Sequence, residues 1–367
     1  MLETTTAYTV AICGFFVGTI FGATAQKTNF CTMGAISDIV LMQNWNRFRA
    51  WMLAIAISVA LSQIFHLTGL INLHSSIYLT KNLGWFGAIL GGLLFGFGMT
   101  ISGGCGNKAL VRAGAGNLKS LIVIFTMGFF AYMTLRGIIG VIRVEIEKKT
   151  SVDLSILGAS TQGIPELITV FTNSAPEAIR TLLTVGVVCA IFIFCFKNSE
   201  FRNSADNIAS GVIIGTLISI GWLITGVLGY DEFEPTPLTS LTFVNPTADS
   251  LQYLMTFTGS TINFGIASVA GVIFGSFIIA KSRGTFQVEG FSDTLDMVRH
   301  LTGGAAMGIG GIMALGCTVG QGISGISTLS VGSIIALLSI FAGGYLGIKY
   351  LEEGNLNDFL KSFYKKP

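Results

Sequence analysis

The chain reads as an all-α polytopic membrane protein with about nine transmembrane helices, four short re-entrant or half helices and two degenerate internal repeats. Three observations predict this class. Of 367 residues, 51% are hydrophobic, 11% are charged and 47 are glycine, with mean hydropathy +0.72. A soluble domain carries roughly 25% charged residues, so this chain cannot cover itself with a polar surface. Nine apolar runs, at 8–25, 50–71, 85–101, 118–141, 180–197, 207–229, 261–280, 301–315 and 333–350, can cross or nearly cross a hydrocarbon core of about 30 Å. Finally, Gly91, Gly92, Gly96, Gly98 and Gly104-Cys105 recur in register, at an offset of 212, as Gly303, Gly304, Gly308, Gly310 and Gly316-Cys317.

The first crossing carries Gly18-Thr-Ile-Phe-Gly22 and runs on to Ser37-Asp38. It resembles the seventh, with Gly271-Val-Ile-Phe-Gly275 and Ser292-Asp293, which suggests a second, looser repeat pair. The crossings at 85–101 and 301–315 are the small-residue helices of the duplicated stretch, and the others are plain apolar runs. Four segments, 29–42, 105–116, 286–300 and 317–329, follow directly on crossings but are too polar or broken for a full span. Such backbone survives in a bilayer only where it is buried in protein or lines a wet cavity, so each is expected to be re-entrant. Residues 1–367 read as a single integral membrane transport domain, with repeat-like halves at approximately 8–141 and 261–350. A duplicated membrane unit with an interrupted helix in each copy marks a transporter.

Charge placement orients the crossings. With the N-terminus outside and the C-terminus cytoplasmic, inside loops hold 15 of the 21 basic residues, and Asp231, Glu232 and Glu234 face out. Met1 to Thr6 lacks a basic stretch, so no secretory signal is expected. The balance of 21 basic and 19 acidic residues gives no reason to expect nucleic acid as a partner. Six scattered cysteines form neither a disulfide framework nor a metal-binding pair. No cofactor, metal or catalytic residue is expected.

The chemistry is expected at the breaks. In Ser102-Gly103-Gly104-Cys105-Gly106-Asn107-Lys108, glycines let the backbone open so that amide N–H groups and a half-helix N-terminus point at an anion. Lys108 and Arg112 share the helix face of Cys105 and complete a positive well, or else snorkel as cytoplasmic anchors. The plainer alternative is close helix packing around a small buried cysteine; repetition at one register favours a site. Cys317, in Leu315-Gly316-Cys317-Thr318-Val319-Gly320-Gln321-Gly322, is followed by neutral donors that suit a reversible waystation. Gly104, Lys108, Arg112, Gly316 and Gln321 are the weaker candidates for substrate binding. Cys31 follows Asn29-Phe30 and has no cysteine counterpart near Phe286, so duplication does not support it. Cys13, Cys189 and Cys195 are expected to pack, His66, His74 and His300 to lie at interfaces, and Asp38 and Asp293 to cap helices.

With Asn29-Phe30-Cys31-Thr-Met-Gly34-Ala-Ile-Ser-Asp38, Ser102-Gly103-Gly104-Cys105, Arg112-Ala-Gly114, Val272-Ile-Phe-Gly275 and Leu315-Gly316-Cys317 in view, the chain resembles the YeeE/YedE sulfur-transport family over essentially its whole length. The resemblance implies import of thiosulfate, or a related small sulfur-containing anion, across the bacterial inner membrane. It implies nine transmembrane helices and a central pathway lined by Cys31, Cys105 and Cys317. A small TusA-like cytoplasmic sulfur-carrier protein is the partner it suggests. Two positions depart from the family pattern: Gly-Asn-Lys follows Cys105, adding Lys108, and Leu315 stands where a glycine is expected. The substrate is accordingly read as thiosulfate or a close sulfur or selenium relative. The rival reading is a membrane sulfur-relay enzyme that passes sulfane sulfur as a cysteine persulfide.

Overall fold

The computed structural model describes residues 2–172, 175–230 and 236–354; Asp231, Glu232, Glu234 and the lysines at 361, 365 and 366 lie outside the described residues. In chain order the helices are α1 (Leu2–Thr28), α2 (Thr32–Met42), α3 (Asn46–Leu67), α4 (Trp85–Ile101), α5 (Gly106–Gly114), α6 (Leu118–Leu135), α7 (Ile138–Thr150) and α8 (Ile164–Thr172). They continue with α9 (Pro176–Phe196), α10 (Ser199–Arg202), α11 (Ala205–Leu223), α12 (Val244–Met255), α13 (Phe264–Ser282), α14 (Thr294–Met313) and α15 (Val331–Glu353). A short helix over 318–327, π-helical at Gly320–Gly325, joins α14 to α15. Among the described residues the only sheet pairs Asn82–Leu83 with Val152–Asp153.

The class expected from composition is the class observed: an all-α bundle in which eight segments are long and apolar enough to cross a membrane. Ile12, Phe16, Phe129, Leu182, Ile193 and Leu338 remain exposed on helix surfaces, as expected where lipid is the solvent. α14 falls outside those eight because Asp296, Arg299 and its glycines dilute its hydropathy. Its 20 residues still reach about 30 Å at 1.5 Å each.

Three element expectations change. The run 118–141 breaks after Leu135, where the chain turns and restarts as the charged α7. Segment 286–300 is not a half helix: its start lies extended beside the α5–α6 turn (Gln287 N to Ala115 O, 3.2 Å; Leu118 N to Glu289 O, 3.0 Å), and α14 already begins at Thr294. The short helix on that side is α12, too brief and polar to be seen as a span.

Close helix contacts fix the directions. Gly18 and Gly22 of α1 sit against the backbone of Ser268 and Val272, while Gly271 and Gly275 of α13 sit against Phe15 and Thr19, so α1 and α13 run parallel. By contrast, Gly91 faces Gly310 and Gly98 faces Gly303, so α4 and α14 are antiparallel. One symmetry operation cannot relate both pairs, and the first and seventh crossings resemble each other as two faces of one tight contact. Gly211 and Gly215 of α11 meet Ala50 and Ala54 of α3 in the same parallel manner. Likewise Gly92 and Gly96 of α4 meet Ala336 and Ile340 of α15, while Gly304 and Gly308 of α14 meet Val123 and Met127 of α6.

Candidate functional site

The duplicated break is built twice in the same way. After α4, Ser102 N bonds Gly98 O (3.0 Å), Gly103 N bonds Thr100 O (3.2 Å) and Gly104 N bonds Met99 O (2.8 Å). After α14 the equivalents are Ala314 N to Gly310 O (2.9 Å), Leu315 N to Ile312 O (3.1 Å) and Gly316 N to Gly311 O (2.7 Å). This is the left-handed helix ending that favours glycine. Gly103 adopts φ +72° there, and Leu315 is forced to φ 58°. The break ends each long helix and starts a short one whose first residue follows the cysteine.

All three motif cysteines are therefore helix N-caps. Cys31 caps α2, its sulfur accepting from Gly34 N at 3.4 Å. Cys105 caps α5, and its thiol donates to Asn107 Oδ1. Cys317 precedes the short helix, its sulfur accepting from Gly320 N at 3.4 Å. The side chains of Cys31 and Cys105 are neighbours, and Thr318 lies against Cys105. Thr242, just before α12, stands 4.0 Å from Cys317 Sγ, and Ser324 Oγ donates to Leu241 O at 2.7 Å. Cys105, Cys317 and Thr318 have no exposed surface. They form a closed septum.

A cavity lies on each side of it. The larger, about 580 Å³, reaches Cys31 and is lined by Arg47, Lys108, Arg112, Lys119 and Glu289. Arg47 is paired with Asp38 (3.2 Å), and Lys119 with Glu289 (3.3 Å) and Asp296 (2.9 Å). Lys108 and Arg112 instead bond neutral oxygens, Asn29 Oδ1 (3.1 Å) and Gly103 O (2.8 Å), so their charges make this cavity electropositive. The opposite cavity, about 390 Å³, is bounded by Thr242, Leu315 and Gly316.

The weaker candidates divide. Gly104 is where a Cβ would press to 3.2 Å from the Lys108 stem, so glycine lets that side chain pass. Gly316 meets Gln321 in the same way, also at 3.2 Å. Gln321 is buried away from both large cavities, donating to Ala314 O. It closes the second break as Arg112 closes the first, without charge. Asp293 does cap α14, accepting from Asp296 N at 2.7 Å, whereas Asp38 lies inside α2 and pairs with Arg47. Cys195 is wholly buried and donates to Arg49 O at 3.3 Å. Asn107 and Thr318 adjoin the cysteine motifs, but as ordinary polar residues they carry no signal of their own in the sequence. Thr242 lies 75 residues from Cys317, and no sequence signal links them.

Residues 27–346, from the lysine before the first cysteine motif to the last glycine-rich helix, match the family described as sulphur transport. The chain belongs to the sulphur transport family. Among its relatives is the thiosulfate transporter TsuA of Escherichia coli K12, 26% identical over 341 residues, covering 86% of this chain and 87% of that protein. The thiosulfate transporter TsuA of Spirochaeta thermophila is 24% identical over 324 residues, covering 85% and 90% respectively. The match spans every element of the site, both breaks included.

Proposed function

We propose that this protein imports thiosulfate, passing it intact between the two cavities along Cys317, Cys105 and Cys31. One observation carries the reading: three short helices, each capped by a cysteine, begin at one buried septum between two cavities. Helix N-termini concentrate positive partial charge and free N–H groups, which suits an anion stripped of part of its water. Thiols are weak donors, so each holds the ion loosely enough to release it, as conduction requires. Lys108 and Arg112 draw the anion to the electropositive mouth. The charge distribution favours that mouth as cytoplasmic, with the N-terminus outside, where the two cations aid release and receive any TusA-like carrier. A dianion moving inward against roughly 100 mV meets about 4.6 kcal/mol, so cytoplasmic consumption of the product supplies the gradient.

The glycine contacts support an inverted repeat. The unit α1–α6 corresponds to α11–α15 with its short helix, each holding two cysteine- or Phe243-capped half helices. That gives nine crossings when α4 and α5 count as one and α14 is included. Cys31 then corresponds to the Phe243 cap of α12. Two halves of opposite orientation around a midplane site form a common transporter plan.

The test is uptake into proteoliposomes of thiosulfate carrying ³⁵S at either sulfur. Wild type should accumulate both labels equally, and Cys105→Ala or Cys317→Ala should abolish accumulation while remaining monodisperse. Cys31→Ser should keep part of the rate, because a hydroxyl also donates. Accumulation of the sulfane label alone would replace transport by sulfur relay, and full activity in both alanine variants would remove the cysteines from the pathway.

A further inference from the structure

Among the described residues, three side chains next to the motif cysteines hold polar atoms with no hydrogen-bond partner. They are Thr32 Oγ1, Asn107 Nδ2 and Thr318 Oγ1, on residues 1%, 1% and 0% exposed. A buried donor left unsatisfied costs about 1–3 kcal/mol, and native interiors seldom leave such groups together. Each sits in the first turn of a cysteine-capped short helix: Thr32 opens α2, Asn107 is second in α5, and Thr318 opens the last. Their orientation is held. The Cys105 thiol occupies Asn107 Oδ1, leaving the amide Nδ2 free, and Thr318 touches the same cysteine from the other half of the molecule.

The geometry points to Asn107 Nδ2 and Thr318 Oγ1, with Thr32 Oγ1 in the first turn of the Cys31-capped helix, as the donors that recognise the oxygens of a tetrahedral sulfur oxyanion while the thiols meet its terminal sulfur. The inference rests on the transport reading above and extends it from a row of thiols to a two-ended site. Amide and hydroxyl donors are the stronger hydrogen-bond partners for oxygen, and thiols are weak partners suited to polarizable sulfur. Such a site prefers a ligand with both ends over hydrosulfide, which lacks the oxygens, and over sulfate, which lacks the sulfur.

The experiment is concentration-dependent ³⁵S-thiosulfate uptake in proteoliposomes, with hydrosulfide and sulfate as competitors. Asn107→Leu removes the amide donor, together with the acceptor for Cys105, without adding charge; Thr318→Val removes only the hydroxyl. Each should raise the half-saturation concentration about tenfold, the equivalent of ~1.4 kcal/mol, with the maximal rate within about twofold and inhibition by hydrosulfide unchanged. Thr318→Ser, which keeps the hydroxyl, should match wild type. Wild-type half-saturation in both Asn107→Leu and Thr318→Val would overturn the assignment, as would a Thr318→Ser protein that is monodisperse yet as impaired as Thr318→Val. Failure of the wild type to take up thiosulfate would instead refute the transport reading and this inference with it.

Discussion

Replacing Arg180 with Met should destabilise the protein severely, and a second substitution should rescue it. Arg180 is 2% exposed in α9 and forms an ion pair with Glu166 of α8, itself 7% exposed. Its other arm donates to Gln63 Oε1 at 3.0 Å, and Gln63 Nε2 donates to Ser327 O at 2.7 Å, at the end of the short helix that follows Cys317. Met roughly conserves the volume, so the change is electrostatic. Removing one partner of a buried pair costs about 3–5 kcal/mol, because the other charge stays buried and uncompensated. At about 2 °C per kcal/mol for a large chain, the thermal midpoint in detergent should fall by ~6–10 °C. Glu166→Gln in the same chain removes the stranded carboxylate and should recover at least half of that loss. A single variant within 1 °C of wild type, or a double variant no more stable than the single one, would refute the reasoning.

Three further outcomes follow from the geometry. His74, beside that pair at 3.7 Å from Glu166, has its pKa lowered below 6.5 by burial, with Arg180 adding to the shift and Glu166 opposing it. The unfolded chain therefore binds this proton more readily, so stability should fall as pH drops through about 6.5 and level off below the folded value; thermal melts of His74→Gln between pH 7.5 and 5 should lack that component. Neutralising both cations of the large cavity, Lys108→Gln with Arg112→Gln, should slow thiosulfate uptake several-fold, chiefly in maximal rate because they sit at the releasing mouth; unchanged uptake would reduce them to anchors. Leu315→Gly should be tolerated or stabilising by up to about 1 kcal/mol, since φ 58° is a conformation L side chains disfavour, measured by the same melts.

Composition alone determined the solvent and hence the class. With 11% charge and long apolar runs, the chain crosses lipid as helices whose backbone groups are satisfied internally. The offset of 212 between the two Gly-Cys stretches likewise determined the break, because a left-handed helix ending is a local backbone event that glycine encodes wherever it occurs. The cysteine motifs carry the resemblance to the family within the sequence itself. Other features depended on distance in the chain. The Gly18–Gly22 and Gly271–Gly275 stretches read as repeat copies, yet they face each other in parallel helices, since identical small-residue spacing serves either symmetry or contact. Cys31 lacked support from duplication, and only packing set its thiol against Cys105, 74 residues away. Asn107 and Thr318 carry ordinary polar side chains in the sequence; what distinguishes them is that folding buries a donor on each without supplying an acceptor. The electropositive cavity follows the same logic. Lys108 and Arg112 gain their effect because Asp38, Glu289 and Asp296 are spent on Arg47 and Lys119. The pairing of charges, unlike their number, is decided by which helices meet.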